Sequence, residues 1–255
     1  MAPRRLVPVL SEKEMAGAHT HTLLATAPHL TYHGGALLTS VEVFTVFWGT
    51  AWQQPAQAAV AAHLNQFFDY ILTSPLIDAL AEYSVPGKPI GHGMRIGTTT
   101  ILDASPGGTR KSLTDAQIQQ HLQQWIAAGT VPHATGNTLY FVYTPPGVGV
   151  VMADRSRSCK VFCGYHGNVG HSIFYAVEPY LACKGCTYGS GVADSLTKVS
   201  SHELCEAITD PMGDGWFDDT PPGNEIGDIC NSSVGQLGGY TVQLEWSNAL
   251  KRCVL

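Results

Sequence analysis

Hydrophobic positions along the chain switch between two periods. "VEVFTVFWGTAW" (41–52) is rich in β-branched and aromatic residues and predicts a buried strand. "QPAQAAVAAHLNQFFDYIL" (54–72) has apolar residues at helical spacing and a proline near its start, which predicts a helix closed or bent by Pro75. "KPIGHGMRIGTTTIL" (88–102) reads as a strand pair, or as one long strand with glycine irregularities. Thr114 or Ser112 is placed to cap a helix over 115–129, with Gly129 as its stop. Strands are predicted at 137–145, 148–153 and 171–179. A helix over about 195–210 starts at Asp194 or Ser195 and ends at Pro211. The tail 239–250 alternates like an edge strand. Residues 1–40, of mixed polarity, form a lead-in or pro-like segment, and 41–255 form a single domain of the α/β (α+β) class.

The bulk numbers narrow the function classes. The chain has 255 residues, 44% hydrophobic and 13% charged, enough for an ordinary core. Its net charge is −6 and no basic stripe is present, which excludes nucleic acid as the expected partner. No apolar run has the length of a membrane span. "MAPRRLVPVLSEKEM" has two arginines but too short an apolar stretch for a complete secretory signal. All seven cysteines fall in the C-terminal half: Cys159, Cys163, Cys183, Cys186, Cys205, Cys230 and Cys253. Such clustering points to stapling in an oxidising compartment. The odd count leaves one thiol over, and Cys205, inside the predicted helix, is the expected one. Cys230 is expected to pair with Cys253, and the other four among themselves. Cys159-x-x-x-Cys163 and Cys183-x-x-Cys186 also approach zinc-ribbon spacing. Asn231-Ser-Ser is a glycosylation sequon.

Candidate chemistry centres on "SSHELCEAITDP" (200–211). Residues four apart on a helix share a face, so His202 and Glu206 project together, with Glu203 about 100° around. Leu204, Ile208 and Thr197 lie opposite, which predicts a helix packed beneath a cleft. The pattern alone also fits a core helix with a bonded histidine and two solvated glutamates. Nineteen positions after Glu206 comes Glu225, in "NEIGDIC" (224–230). This resembles thermolysin-like zinc peptidases, in which the helix motif is followed at close to this distance by a Glu ligand in an Asn-Glu-x-x-x-Asp segment; here the segment is one residue shorter. The resemblance implies His202, Glu206 and Glu225 as ligands of zinc or another divalent cation. It implies Glu203 as general base on a polarised water, and Asp228 as the acceptor that fixes a ligating histidine. One imidazole and two carboxylates balance a divalent charge but make a harder site than His-His-Glu. His166 and His171 flank the strand after the first cysteine pair and are candidate transition-state stabilisers.

"FTVFWGTAW", "TLYFVYTPPGVGVVM", "CKVFCGYHG", "CKGC", "SHELCEAITDP", "GWFDD" and "EIGDIC" occur in an order that resembles the plant EXORDIUM, or phosphate-induced, proteins over about 41–255. That family carries His-Glu-Leu-x-Glu followed by Thr-(Asp/Asn)-Pro, and His202 to Pro211 fit it. The resemblance implies a secreted, disulfide-bonded wall protein and makes disulfides the simpler reading of the two cysteine pairs. Together the likenesses imply a zincin-like twisted mixed sheet. The expected function is a secreted zinc-dependent metalloendopeptidase whose peptide or protein substrate pairs with an edge strand, at 148–153 or 171–178. The alternative is a non-catalytic extracellular module that binds a peptide or wall glycan, its metal site structural or vestigial. "DPMGDGWFDD" (210–219) is expected as a polar turn rather than a calcium loop. His19, His21, His29 and His33 are expected to be solvated.

Overall fold

The computed structural model describes residues 6–11, 27–104, 106–220 and 223–255; His19 and His21 lie outside them. The elements in chain order are strands β1 (Leu6–Pro8), β2 (Leu30–Tyr32) and β3 (Glu42–Trp48), helices α1 (Pro55–Ile71) and α2 (Pro75–Leu80), then strand β4 (Met94–Ile101). Next come β5 (Ser112–Thr114), α3 (Asp115–Ala127), β6 (Thr138–Tyr143), β7 (Gly149–Val151), β8 (Phe162–Val169) and β9 (Ile173–Glu178). The last part holds α4 (Val192–Thr209), β10 (Trp216–Asp218), β11 (Val234–Leu237), β12 (Tyr240–Gln243), β13 (Glu245–Ser247) and β14 (Arg252–Val254).

The fold is mixed α/β. Six strands make one mixed sheet in the order β1-β8-β9-β6-β3-β4. β4, β3, β6 and β9 run parallel, and β8 and β1 close the sheet with antiparallel pairings. Successive side chains of a strand face opposite sides, so the sheet separates two cores. Phe47, Phe141, Tyr143 and Ala176 pack on the side of α1 and α4. Val46, Trp48, Tyr140, Val142, Tyr165 and Tyr175 pack on the side of α3. α3 begins with the expected cap: Thr114 Oγ1 accepts from Gln117 N at 3.2 Å, and Gln117 Oε1 accepts from Thr114 N at 2.8 Å. The glycine-rich stretch from 88 to 102 holds a single strand, β4, over its second half. Its register against β3 slips between Val43 and Phe44, where a side chain on Gly97 would strike the Phe44 ring.

Three disulfides, Cys159–Cys183, Cys163–Cys186 and Cys230–Cys253, leave Cys205 free and buried. The two cysteine pairs with ribbon-like spacing are thus cross-linked to each other rather than arranged as a zinc knuckle. The first two bridges tie β8 and the turn before it to the loop before α4, and the third ties the loop after Glu225 to β14. No helix among the described residues is long and apolar enough to cross a membrane.

Three expectations need correction. The strand at 171–179 is not an edge: β9 lies between β8 and β6 and its backbone groups are taken on both sides. The strand within 148–153 is outside the main sheet, paired with β5. The helix carrying His202 does not lie open beneath a groove. Every residue from Ser195 to Thr209 is buried, because β8 and β9 cover one side of α4 while β12, α1 and α2 cover the others. The predicted lead-in, for its part, supplies two strands: β1 joins the main sheet at β8, and β2 pairs with β10. "DPMGDGWFDD" is a turn leading into β10, held by Asp210 Oδ1 accepting from Gly215 N at 2.7 Å.

Candidate metal centre

α4 is an unusual helix because its polar stripe is as buried as its apolar one. Burial of an ionisable group requires a partner or loss of its charge. Lys198, His202, Glu203 and Glu206 are all fully buried on this helix. β8 and β9 bring His166 and Glu178 to the same face, and the chain after the helix returns Glu225, Asp228 and Glu245. Two glycines permit the close approach. A Cβ on Gly164 would lie 2.6 Å from Val199 Cγ1, 2.9 Å from Glu178 Oε2 and 3.3 Å from Glu203 Oε1. A Cβ on Gly227 would lie 2.6 Å from His202 Nδ1. Gly227 is further held by Gln243 Nε2, which donates to its carbonyl at 2.7 Å. Gly227→Ala is therefore expected to push the His202 ring out of place and to destabilise the chain by about 1–3 kcal/mol, read as a lowered melting temperature with weakened metal binding.

Glu206 is the hub. Its Oε1 lies 3.0 Å from His202 Nε2 and accepts from Asp228 N at 3.1 Å. Its Oε2 lies 3.6 Å from His166 Nδ1. His166 Nδ1 is also 3.1 Å from Glu203 Oε2, and its Nε2 is 3.9 Å from Glu225 Oε1. Asp228 Oδ2 accepts from Glu225 N at 3.1 Å and fixes that segment. Within this cluster two triplets have donor atoms all within 4.8 Å of one another: His166–Glu203–Glu206 and His202–Glu206–Asp228. The expected ligands His202 and Glu206 thus come together, and Glu225 stands beside them on the far edge of the His166 ring. His166 is not a loop histidine but a central residue of β8. His171 sits exposed in the β8–β9 turn and does not reach the cluster.

The tautomer of His166 follows from its neighbours. Its Nε2 lies 3.2 Å from the Asp210 carbonyl, which can only accept, so Nε2 carries the proton. When the ring is neutral, its Nδ1 turns a lone pair toward carboxylate oxygens of Glu203 and Glu206. Acceptor atoms converge there without enough donors. Glu203 Oε1, Glu206 Oε2 and His202 Nδ1 have no hydrogen-bond partner, and His202 Nε2 has only the 3.0 Å contact with Glu206 Oε1. A cation held by His166 Nδ1 with Glu203 and Glu206, or by one His202 nitrogen with Glu206 and Asp228, would supply the missing partner on that side, so the residues fit a divalent ion.

The proton affinities agree with crowded, buried charge. Burial pushes Glu206 up, but the His202 charge and contact, followed by His166 and Glu225, hold it down to about 2. Burial raises Glu203 well above the usual carboxylate range; the His202 charge opposes this, while Glu206 and Asp228 add to it. Glu178 is raised by burial and then by Glu203, and Glu245 by burial and then by Glu206. Burial draws Lys198 down to about 7 against the pull of Glu245, Glu203, Glu206 and Glu178. Its Nζ donates to Asn231 Oδ1 at 3.0 Å and lies 4.5 Å from the Tyr188 ring centre. That bond occupies the sequon asparagine, which is itself buried. Glu178, Lys198 and Glu245 escape sequence reasoning. A lone charge inside an apolar run, as in "FYAVEP" and "VQLEWS", was the available signal.

A separate crevice of about 470 Å³ opens at the carboxyl ends of β3 and β6, lined by Thr50, Gln53, Gln54, Lys111 and Pro145 among others. None of the cluster residues lines it.

No protein-family model matches the chain. Protein EXORDIUM-like 5 of Arabidopsis thaliana is 25% identical over an alignment of 279 residues, covering 93% of this chain and 72% of the relative. Protein EXORDIUM-like 3 of the same plant is 25% identical over 253 residues, covering 84% and 73%. Three disulfides and these relatives are consistent with an extracellular protein. Over most of its length, the chain is similar to the EXORDIUM-like proteins.

Proposed function

We propose that the cluster around Glu206 is a divalent-metal centre, zinc being the first candidate, and that it serves hydrolysis of peptide bonds by a secreted protein. One observation carries the metal reading: His166 Nδ1 and the carboxylates of Glu203 and Glu206 converge in a buried space where Glu203 Oε1 and Glu206 Oε2 have no hydrogen-bond partner. His202 and Glu206 would hold the ion, His166 Nδ1 offers a further nitrogen, and Glu225 a further carboxylate. Bound zinc lowers the pKa of a coordinated water toward neutrality and polarises a carbonyl. Glu203 would take the proton from the attacking water, its Oε1 being free of any other hydrogen bond. Asp228 keeps Glu225 and Glu206 in place through its carboxylate and its N–H. The Nε2–H bond to Asp210 keeps the His166 lone pair directed at the site.

The experiment is a comparison of Glu203→Gln with the unaltered chain, both loaded with zinc. Casein or peptide hydrolysis is expected to fall about 10²–10⁴-fold while metal content is unchanged. A second reading rests on the closure of the site, since His202, Glu203, Glu206 and Glu225 are all inaccessible. A metal held there would be structural, and the protein a non-catalytic module binding a peptide or wall glycan. Metal without any hydrolysis in the unaltered chain favours that reading.

A further inference from the structure

β8 stands one strand from the edge of the main sheet and reaches the cluster directly. It carries His166, and its Gly164 backbone lies beside the positions of Glu178 and Glu203. Without β1 it would be an edge of the main sheet, with a row of open N–H and C=O groups. Such an edge accepts an extended peptide by strand addition. In this structure the chain's own residues take that place. The antiparallel register sets Leu6 opposite Tyr165, Val7 opposite Gly164 and Pro8 opposite Phe162. Beyond the strand, Val9 N donates to Val161 O at 3.0 Å and Leu10 N to Gly185 O at 3.0 Å.

The pairing has a specific character. Directly opposed residues of an antiparallel pair project to the same face. Val7 therefore projects to the α4 face, where Gly164 has no side chain, and is completely buried there. The hold is short and irregular, however. β1 has only three residues, its register shifts between Val7 and Pro8, and Pro8 cannot donate to the ladder.

We propose that the edge of β8 is a peptide-accepting surface and that Leu6–Leu10 is its built-in occupant, which an external extended peptide with a branched apolar residue opposite Gly164 can replace. The proposal rests on the peptidase reading for what the opened edge would do: the displaced segment would leave Gly164, and behind it Glu203 and His166, next to a bound substrate backbone. The same contact keeps the chain latent until β1 leaves.

The test uses the full chain and a fluorescein-labelled peptide, RRLVPVLS, with the sequence of residues 4–11. In Val7→Asp, a carboxylate opposite Gly164 would face Glu178 and Glu203, so the internal strand is expelled. By fluorescence anisotropy this variant is expected to bind the peptide roughly tenfold or more tightly than the unaltered chain, because the competent fraction rises. The control peptide RRLDPVLS should bind neither protein. A folded Val7→Asp chain that binds no better than the unaltered one, or equal binding of the two peptides, overturns the proposal. Should Val7→Asp fail to fold, hydrogen exchange of the unaltered chain decides. The Val9 and Leu10 amides are expected to exchange roughly a hundredfold faster than those of β6, and equal protection overturns the proposal. Peptide binding by Val7→Asp with no hydrolysis by either zinc-loaded protein would remove the peptidase reading and leave the peptide edge standing.

Discussion

Glu206→Ala is expected to lose metal affinity by more than about 100-fold and to destabilise the chain by about 3–5 kcal/mol. The size follows from its central position. Glu206 touches His202 with one oxygen and faces His166 with the other, and it also accepts the Asp228 N–H. Removing it leaves two imidazoles and a backbone donor with less compensation in a space that water does not reach, a large penalty for a single site. Asp78→Asn, an exposed acid beside His92, should shift stability by less than about 0.5 kcal/mol. Metal content by elemental analysis and melting temperature by circular dichroism read both effects. A Glu206→Ala chain that keeps its metal and its melting temperature would show that the cluster is not organised around this residue.

The second large effect is on pH dependence. In the metal-free chain, Glu178 and Glu245 are raised by burial, so each holds its proton to a higher pH in the folded state than in the unfolded one. In the unfolded state a glutamate ionises near 4.3. Below that value the contribution of each is fully present. As pH rises, the unfolded chain holds fewer protons than the folded one, and stability falls by about 1.4 kcal/mol per pH unit for each such group. His202, also raised, adds to the fall above its unfolded pKa near 6.5. Lys198 has the opposite sign. It loses its proton near pH 7 in the folded state and near 10.4 in the unfolded one, so between those values it makes stability rise with pH. The steepest loss is thus expected between about pH 5 and 7, with partial compensation above. Glu245→Gln should flatten the slope by one group. Zinc should flatten it further, since a cation takes over the role of the protons. Melting curves at several pH values with and without chelator provide the measurement, and stability that rises from pH 5 to 7 in the metal-free chain would contradict the assignment of these buried acids.

The sequence showed unequal parts of this arrangement. β3, α1, α3 and β6 were legible because their apolar residues keep one period and their ends carry punctuation such as Pro55 and the Thr114 cap. β8 was not. Its sequence, FCGYHGNV, breaks the apolar alternation with Gly164, His166 and Gly167. Gly164 is small because α4 presses against it, and His166 is polar because carboxylates surround it. The features that disguise the strand are those that build the site. The His202–Glu206 face was legible from helical spacing, but its environment was not: a polar stripe reads alike whether it faces solvent or a buried ionic cluster. Glu178, Lys198 and Glu245 come from three separate elements, and only the fold brings them together. Cys230 and Cys253 matched the expected pairing, and the crossed linkage of the other four cysteines needed the β8 geometry to select it.

All of the chemistry proposed depends on one cation beside Glu206. Anomalous diffraction from crystals of the zinc-loaded protein, recorded across the zinc edge, addresses this most directly. The account predicts a single strong peak about 2.0–2.2 Å from Glu206 and from an imidazole nitrogen of His202 or His166. A map with no peak in that space, or with zinc bound only at surface histidines such as His92 or His171, would contradict it.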